Sequence, residues 1–277
     1  MNSSVLTGPA TGSAGPVRVS GGGQLSAFFL RNVRALLRQP AYLSISLVQA
    51  VVWLPLFGSL FRGIADIPGF GDDSYFDYLT PGVVMMSAFF SAGWAGMGFI
   101  TDMERGVMDR ILAAPASRWA IIGGCLAYQA LMTTAQTVII LLLGWALGTD
   151  YGGGAVGLLV LVLVLVAIAL GTVVAALSMA LALLVRREES LVAATNFLAL
   201  PLTFLSTAMM SRDLLPGWIR PIALANPLDW AVSAARESIT ADPNWALAGW
   251  RVAALAAAAL TATALATRAF RAYQRSL

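Results

Sequence analysis

Apolar and charged positions are arranged in two different ways along this chain. Between Gln24 and Gln39, Leu25, Phe28, Phe29, Val33, Leu36 and Leu37 share one helical face and Arg31, Arg34 and Arg38 another. That is a basic amphipathic helix suited to a membrane surface, with its arginines toward anionic headgroups and its phenylalanines and leucines toward acyl chains. Pro40 turns the chain inward, and beyond it the periodicity gives way to long uncharged runs. A hydrocarbon core takes about 20 apolar residues, so six spans are predicted, over residues 41–61, 83–100, 119–147, 155–185, 191–210 and 245–267. At a rise of about 1.5 Å per residue the fourth exceeds ~40 Å and must tilt or project from the bilayer. Arg251 falls inside the sixth, near enough to its end to snorkel outward past Trp245 and Trp250.

Two of the connecting segments are too organised for plain loops. In 101–118, Met103, Val107 and Ile111 line one helical face, with Met108 and Leu112 beside it, and Asp102, Arg105 and Asp109 line another. This predicts a short amphipathic helix over 102–113, ended by Pro115. Neighbouring membrane helices need only about 2 to 8 residues between them, so the extra length suggests a docking surface. The second segment, 211–244, is long yet apolar, and Pro216, Pro221 and Pro227 cut it into short pieces. A helical hairpin dipping into one leaflet fits that pattern. Asp229, Arg236 and Glu237 would then face protein, water or headgroups. Asp229 reads equally as a gate residue and as a structural cap on the second short helix. Gly93, Gly96 and Gly98 allow close packing in the second span, and Gly144 to Gly148 and Gly153 to Gly157 match a helix-contact spacing that also arises by chance.

Composition narrows the chemistry. Of 277 residues, 58% are hydrophobic and 11% charged, against about a quarter charged in ordinary soluble domains. All 17 basic residues are arginine. Without lysine there is no P-loop to hold ATP, and without histidine no Ser-His-Asp triad or imidazole metal site. No catalytic residue, metal site or cofactor is therefore expected in this chain. Cys125, the sole cysteine, sits in an apolar run as a packing residue. Residues 1–23 read as a disordered tail and 271–277 as a second tail. Counting charges on the two sides of the six-span frame puts 12 arginines with the termini and 5 on the opposite side. By the positive-inside rule both termini are cytoplasmic and 211–244 is external. The basic balance serves topology, not nucleic acid.

The run Glu104-Arg105-Gly106-Val107-Met108-Asp109-Arg110-Ile111-Leu112, followed by Ala114-Pro115-Ala116-Ser117-Arg118-Trp119, resembles the coupling-helix region of type-2 ATP-binding-cassette (ABC) permeases. Downstream, Asn226-Pro227-Leu228-Asp229-Trp230, closing at Arg236, is similar to that family's motif between the fifth and sixth spans. The alanine- and arginine-rich composition and the wording of the first run, Glu104-Arg105-Gly106 to Pro115-Ala116-Ser117-Arg118, look most like the daunorubicin-resistance branch of drug and lipid exporters. The resemblance implies an all-α membrane protein with a six-span domain over 40–270, and a permease subunit exporting an amphipathic substrate across a bacterial plasma membrane. It implies coupling through Glu104, Arg105, Gly106, Arg110, Pro115 and Arg118, and an external gate or exit at Asn226, Pro227, Asp229, Trp230 and Arg236. ATP and Mg would be held by a separate ABC ATPase, two copies per complex, beside a second permease copy or paralogue. An ion-coupled transporter would show ionisable residues at mid-membrane, and the spans hold almost none. A polysaccharide permease would show an aromatic stripe, and none stands out. A lipid-modifying membrane enzyme would want histidine, lysine or clustered acids.

Overall fold

The computed structural model describes residues 21–38, 40–60, 63, 75–113, 117–149, 156–209, 212, 215–238 and 244–275, and contains no strand among them. The described residues form eleven helices in order: α1 (Gly21–Arg38), α2 (Pro40–Leu60), α3 (Tyr75–Gly93), α4 (Met97–Glu104), α5 (Val107–Ala113), α6 (Arg118–Ala146), α7 (Val156–Val185), α8 (Glu188–Phe204), α9 (Ile219–Leu224), α10 (Pro227–Glu237) and α11 (Trp245–Arg275). Among the described residues, four segments are long and apolar enough to cross a membrane: α3 continued by α4, α6, α7 and α11. The first and fifth predicted spans are occupied by α2, of 21 residues, and α8, of 17. The chain is thus an all-helical, multi-pass membrane protein.

α7 organises the bundle. Its mean hydropathy of 3.2 is the highest of the four segments, and a helix apolar on every side belongs in the middle. It packs against α3, α4, α6, α8, α10 and α11. Ala175, Ala176 and Ala182 of α7 and Ala262 and Ala266 of α11 are buried, and small side chains of this kind let helix backbones approach. Thirty residues give α7 a length of about 45 Å, as the spacing of charges predicts.

Burial divides into two clusters at opposite ends of this frame. One gathers Leu54, Leu79, Met85, Leu163, Leu170, Leu228 and Val232. The other gathers Phe99, Ile100, Met108, Ile122, Met179, Leu191, Phe270 and Tyr273. The second cluster joins α4 and α5, the start of α6, the α7–α8 turn and the end of α11. The arginine-rich connections therefore share one end of the molecule, where the charge count groups them.

Several expected boundaries move. The second span begins at Tyr75 instead of Val83 and is interrupted between Gly93 and Met97. The fifth stops at Phe204 instead of Met210, and the sixth continues to Arg275, so residues 271–275 are helical instead of a tail. Arg251 does not snorkel: it is only 6% exposed and lies within electrostatic reach of Asp229, Glu237 and Arg212. Gly148 and Gly157 face open space, so neither of these two glycines is a point of helix contact within the chain, and Gly153 lies outside the described residues. The 1–20 part of the tail, Pro115, and residues 213, 214, 239–243, 276 and 277 lie outside the described residues.

Candidate functional site

At the α10 end, the Asn-Pro-Leu-Asp-Trp segment is wound around a stretch of chain that has left its helix. α8 ends at Phe204 with Leu205 as its C-cap, and residues 205–209 are irregular, which exposes carbonyls that need partners wherever water is scarce. Asn226 supplies two of them. Its Nδ2 donates to the carbonyls of Leu202 at 2.7 Å and Leu205 at 3.1 Å, while its Oδ1 accepts from Leu228 N and caps α10. Pro227 follows at the first helical position, where its missing N–H costs nothing. The Arg236 guanidinium donates to the carbonyls of Thr207 at 2.6 Å, Ala208 at 2.9 Å and Tyr78 at 3.2 Å, and stacks over the Tyr78 ring at 3.5 Å. The Tyr78 and Tyr75 hydroxyls donate to the carbonyls of Thr207 and Met209.

Asp229 is buried to 1% exposure in the first turn of α10, where the helix dipole favours a carboxylate. One oxygen accepts from Thr207 N at 2.9 Å and Thr207 Oγ1 at 2.6 Å, and the other pairs with Arg212 at 3.0 Å. Asn226 is the cap, so the cap expected of Asp229 is corrected: its carboxylate holds Thr207 and Arg212 beside the unwound segment instead. Trp230 donates Nε1 to Leu224 O at 2.6 Å and packs near Trp250, tying α9 and α11 to the same knot. Gly82 completes it, because a Cβ there would overlap the Ala208 carbonyl oxygen. The five motif residues are brought together. Thr207, Arg212, Tyr75 and Tyr78 join them with no local motif to signal it.

At the other end, the predicted helix over 102–113 is two pieces. α4 runs through Glu104, caps at Arg105 and is stopped by Gly106 at φ 64°, the left-handed conformation that makes glycine the usual residue just past a helix end. A Cβ at Gly106 would meet nothing within 4 Å in this chain, so here the glycine serves the turn. α5 restarts at Val107 in a new register. Met108, 1% exposed, therefore becomes the residue driven into the cluster with Phe270 and Tyr273, and Met103, Ile111 and Leu112 are only partly covered. The expected lead of Met103 and Val107 is corrected by that break. Glu104, Arg105, Asp109, Arg110 and Arg118 are exposed around this seat, and Ser117 caps α6 by accepting from Ala120 N.

α1 is anchored on protein as well as amphipathic. Phe28 packs where a Cβ on Gly124 would stand, Leu25 approaches Gly123, and Gln24 Oε1 accepts from Ser117 N at 2.7 Å. Arg31 pairs with Asp102 at 2.9 Å, and Asn32 donates to Cys125 Sγ at 3.6 Å. Leu37 is 74% exposed, leaving it for a lipid or a partner. The side chain of Arg38 lies outside the described residues. Between the two ends, the α3–α4 interruption is patched by hydroxyls: Ser178 Oγ donates to Gly93 O at 2.6 Å and accepts from Gly96 N at 3.0 Å, and Thr195 Oγ1 donates to Gly93 O at 3.4 Å. Gly93 and Gly96 are the close-packing residues expected there, whereas Gly98 faces open space. Among the described residues, no group of histidine, cysteine or acidic side chains is arranged to hold a metal.

The family described as ABC-2 type transporter matches residues 23–240. The chain is 30% identical over 200 residues to the "Putative transport permease ycf38" of Cyanophora paradoxa, covering 72% of this chain and 68% of that protein. It is 30% identical over 228 residues to the ycf38 protein of Pyropia yezoensis, covering 80% and 75%. To the daunorubicin resistance ABC transporter permease protein DrrB1 of Streptomyces coeruleorubidus it is 26% identical over 200 residues, 72% of this chain and 68% of that one.

Proposed function

Because this chain belongs to the ABC-2 type transporter family, and so is a membrane permease subunit of an ABC transporter, we propose that α5 is the helix through which a separate ATPase moves the bundle to export an amphipathic, drug-like or lipid-like molecule. The observation that carries this reading is the seat of α5. One buried methionine, Met108, holds it against the ends of α7 and α11, while the charged residues around it are exposed. A push on the charged side would reach the helix ends through Met108 and Phe270. Glu104, Arg105, Arg110 and Arg118 offer charge-assisted hydrogen bonds to a docking protein. The resemblance to a permease named for daunorubicin resistance supports the substrate class. Exposed apolar faces on α2 (Leu56, Leu60) and α8 (Phe197, Leu200, Phe204) support a second permease copy beside the first, and two ATPases would then complete the complex, each holding its own ATP and Mg.

The test is retention of the partner ATPase by the purified chain. Glu104→Ala and Arg110→Ala are expected to lower ATPase retention and substrate-stimulated hydrolysis by about tenfold or more, each lost charge-assisted contact contributing about 1.5 to 3 kcal/mol, while Arg275→Ala behaves as wild type. Wild-type retention by both coupling variants would remove α5 from the transmission path.

The same reading orients the molecule, with α1, α5 and the end of α11 cytoplasmic and α9–α10 external, re-entering the outer leaflet to cap the substrate path. In a Cys125→Ser background, Asp73→Cys and Asp213→Cys are expected to react with an impermeant thiol reagent on intact cells, and Ser276→Cys is not. Labelling of Ser276→Cys from outside overturns this topology.

A further inference from the structure

Between α1, the α3–α4 break and α6 lies an open cleft of about 860 Å³, within the range of sites that hold small molecules, about 300 to 1,000 Å³. Its polarity changes along its length. Arg31, Arg34 and Arg105 line the α5 end, whereas Trp94 and Phe99 line the interior, with Ser91, Gln129 and Met132 at the far end. From Ser91 to Arg105 the interrupted α3–α4 segment rises at most about 20 Å. One leaflet of a ~30 Å hydrocarbon core, with its headgroup, has the same depth.

The charges favour an anion. Arg31 is already paired with Asp102, and Asp102 is the acidic side chain lining the cleft. Arg34 and Arg105 make no ion pair among the described residues, so their charge is uncompensated while no carboxylate is left over for an ammonium group. We propose that this cleft binds an anionic phospholipid of the cytoplasmic leaflet, its phosphate against Arg34 and Arg105 and one acyl chain along Trp94, Phe99 and Met132. The lipid bridges α1 to the interrupted α3–α4 segment, and so sits on the element that leads into α5. The site follows from the cleft itself and needs the proposed orientation only to name the leaflet.

Two variants separate its polar and apolar parts. Arg34→Gln removes an exposed charge. Gly98→Leu fills the cleft from α4, since Gly98 lines it and a Cβ there meets nothing within 4 Å. The full chain, purified without ATPase in detergent doped with equal phosphatidylglycerol and phosphatidylcholine, is read by native mass spectrometry. Wild type is expected to retain phosphatidylglycerol over phosphatidylcholine by at least about fivefold, roughly the effect of one arginine at an anionic surface. Arg34→Gln and Arg34→Gln with Arg105→Gln should bring the ratio toward one. Gly98→Leu should lower retention of lipid altogether, and glycerol 3-phosphate, which has the anion without the chains, should not displace it. Equal retention of the two lipids by wild type, or unchanged retention in Arg34→Gln and Gly98→Leu proteins that elute as monodisperse peaks, overturns the proposal. So does a disulfide between Cys125 and a second copy of the chain, which assigns the cleft to a permease partner. Because no ATPase is present, failure here leaves the ATPase-retention result independent.

Discussion

Arg236→Lys is expected to destabilise the protein almost as much as Arg236→Ala. One guanidinium holds the carbonyls of Tyr78, Thr207 and Ala208 and stacks on the Tyr78 ring. These contacts reach in different directions within one plane. An ammonium group has no such fork and hydrates strongly, so lysine can replace at most one of the bonds. The Ala208 carbonyl then loses its donor in an irregular segment that has no helix bond to fall back on, while Thr207 O keeps only the Tyr78 hydroxyl. A hydrogen bond to a charged group contributes about 1.5 to 3 kcal/mol and a buried orphan costs about 1 to 3, so the expected loss is about 3 to 5 kcal/mol for either variant. The readout is the fraction of detergent-extracted protein that remains monodisperse after heating. Arg236→Lys retaining the wild-type profile would show that the knot around residues 205–209 does not depend on the fork. Glu104→Ala, outside the knot, should heat like wild type.

Gly96→Ala separates α4 from α7. The added methyl would overlap the Ser178 carbonyl oxygen and stand 2.8 Å from its carbon, and neither belongs to a side chain that can swing aside. Parting the helices also strips the Ser178 hydroxyl from Gly93 O and Gly96 N, which leaves the interruption in a membrane segment unpatched. Overpacking costs about 1 to 3 kcal/mol, and each lost hydrogen bond adds about 1. Gly98→Ala, two residues on in open space, is expected to be neutral or slightly stabilising, because alanine is the better helix former. Equal yields and heat stability for Gly96→Ala and Gly98→Ala would mean that α4 and α7 are not held at this point.

The parts of this architecture that obey a one-dimensional rule were legible in the chain. α6 and α7 lie where charges are absent for the length of a bilayer, the middle of α11 lies in the uncharged run between Arg251 and Arg268, and α5 lies where an amphipathic pattern meets a turn-forming Gly106. What escaped the pattern was settled by distant partners. Tyr75 to Gly82 carries Asp77, Thr80, Pro81 and Gly82 and reads as a loop, yet it is the buried first two turns of α3, because Tyr75 and Tyr78 bond to a segment more than a hundred residues later. Residues 205–209 read as the end of a span, yet they unwind because Asn226, Asp229 and Arg236 take their backbone groups. Arg251 reads as a snorkelling residue, yet it turns toward the charges of α10. Of the motif residues, their presence was readable from the sequence. Their work as a clamp was not, since it depends on Thr207, Arg212 and Tyr78, which carry no signature of their own.

The knot also sets an order of events during synthesis. The carbonyl of Tyr78 waits for a guanidinium that lies 158 residues further along the chain. At about 5 to 20 residues per second that is an interval of roughly ten to thirty seconds, during which α3 has entered the bilayer and α10 has not been made. Throughout it the polar start of α3, and in its last part the break after α8, have to be sheltered by the insertion machinery or by water at the membrane edge. A ribosome that stalls between α8 and α10 leaves every long helix but α11 in place and the carbonyls of residues 205–209 without their clamp. Completion of α10 is thus the step that turns an inserted set of helices into a closed one, and a quality-control protease that recognises unpaired polar backbone would find its substrate in that interval.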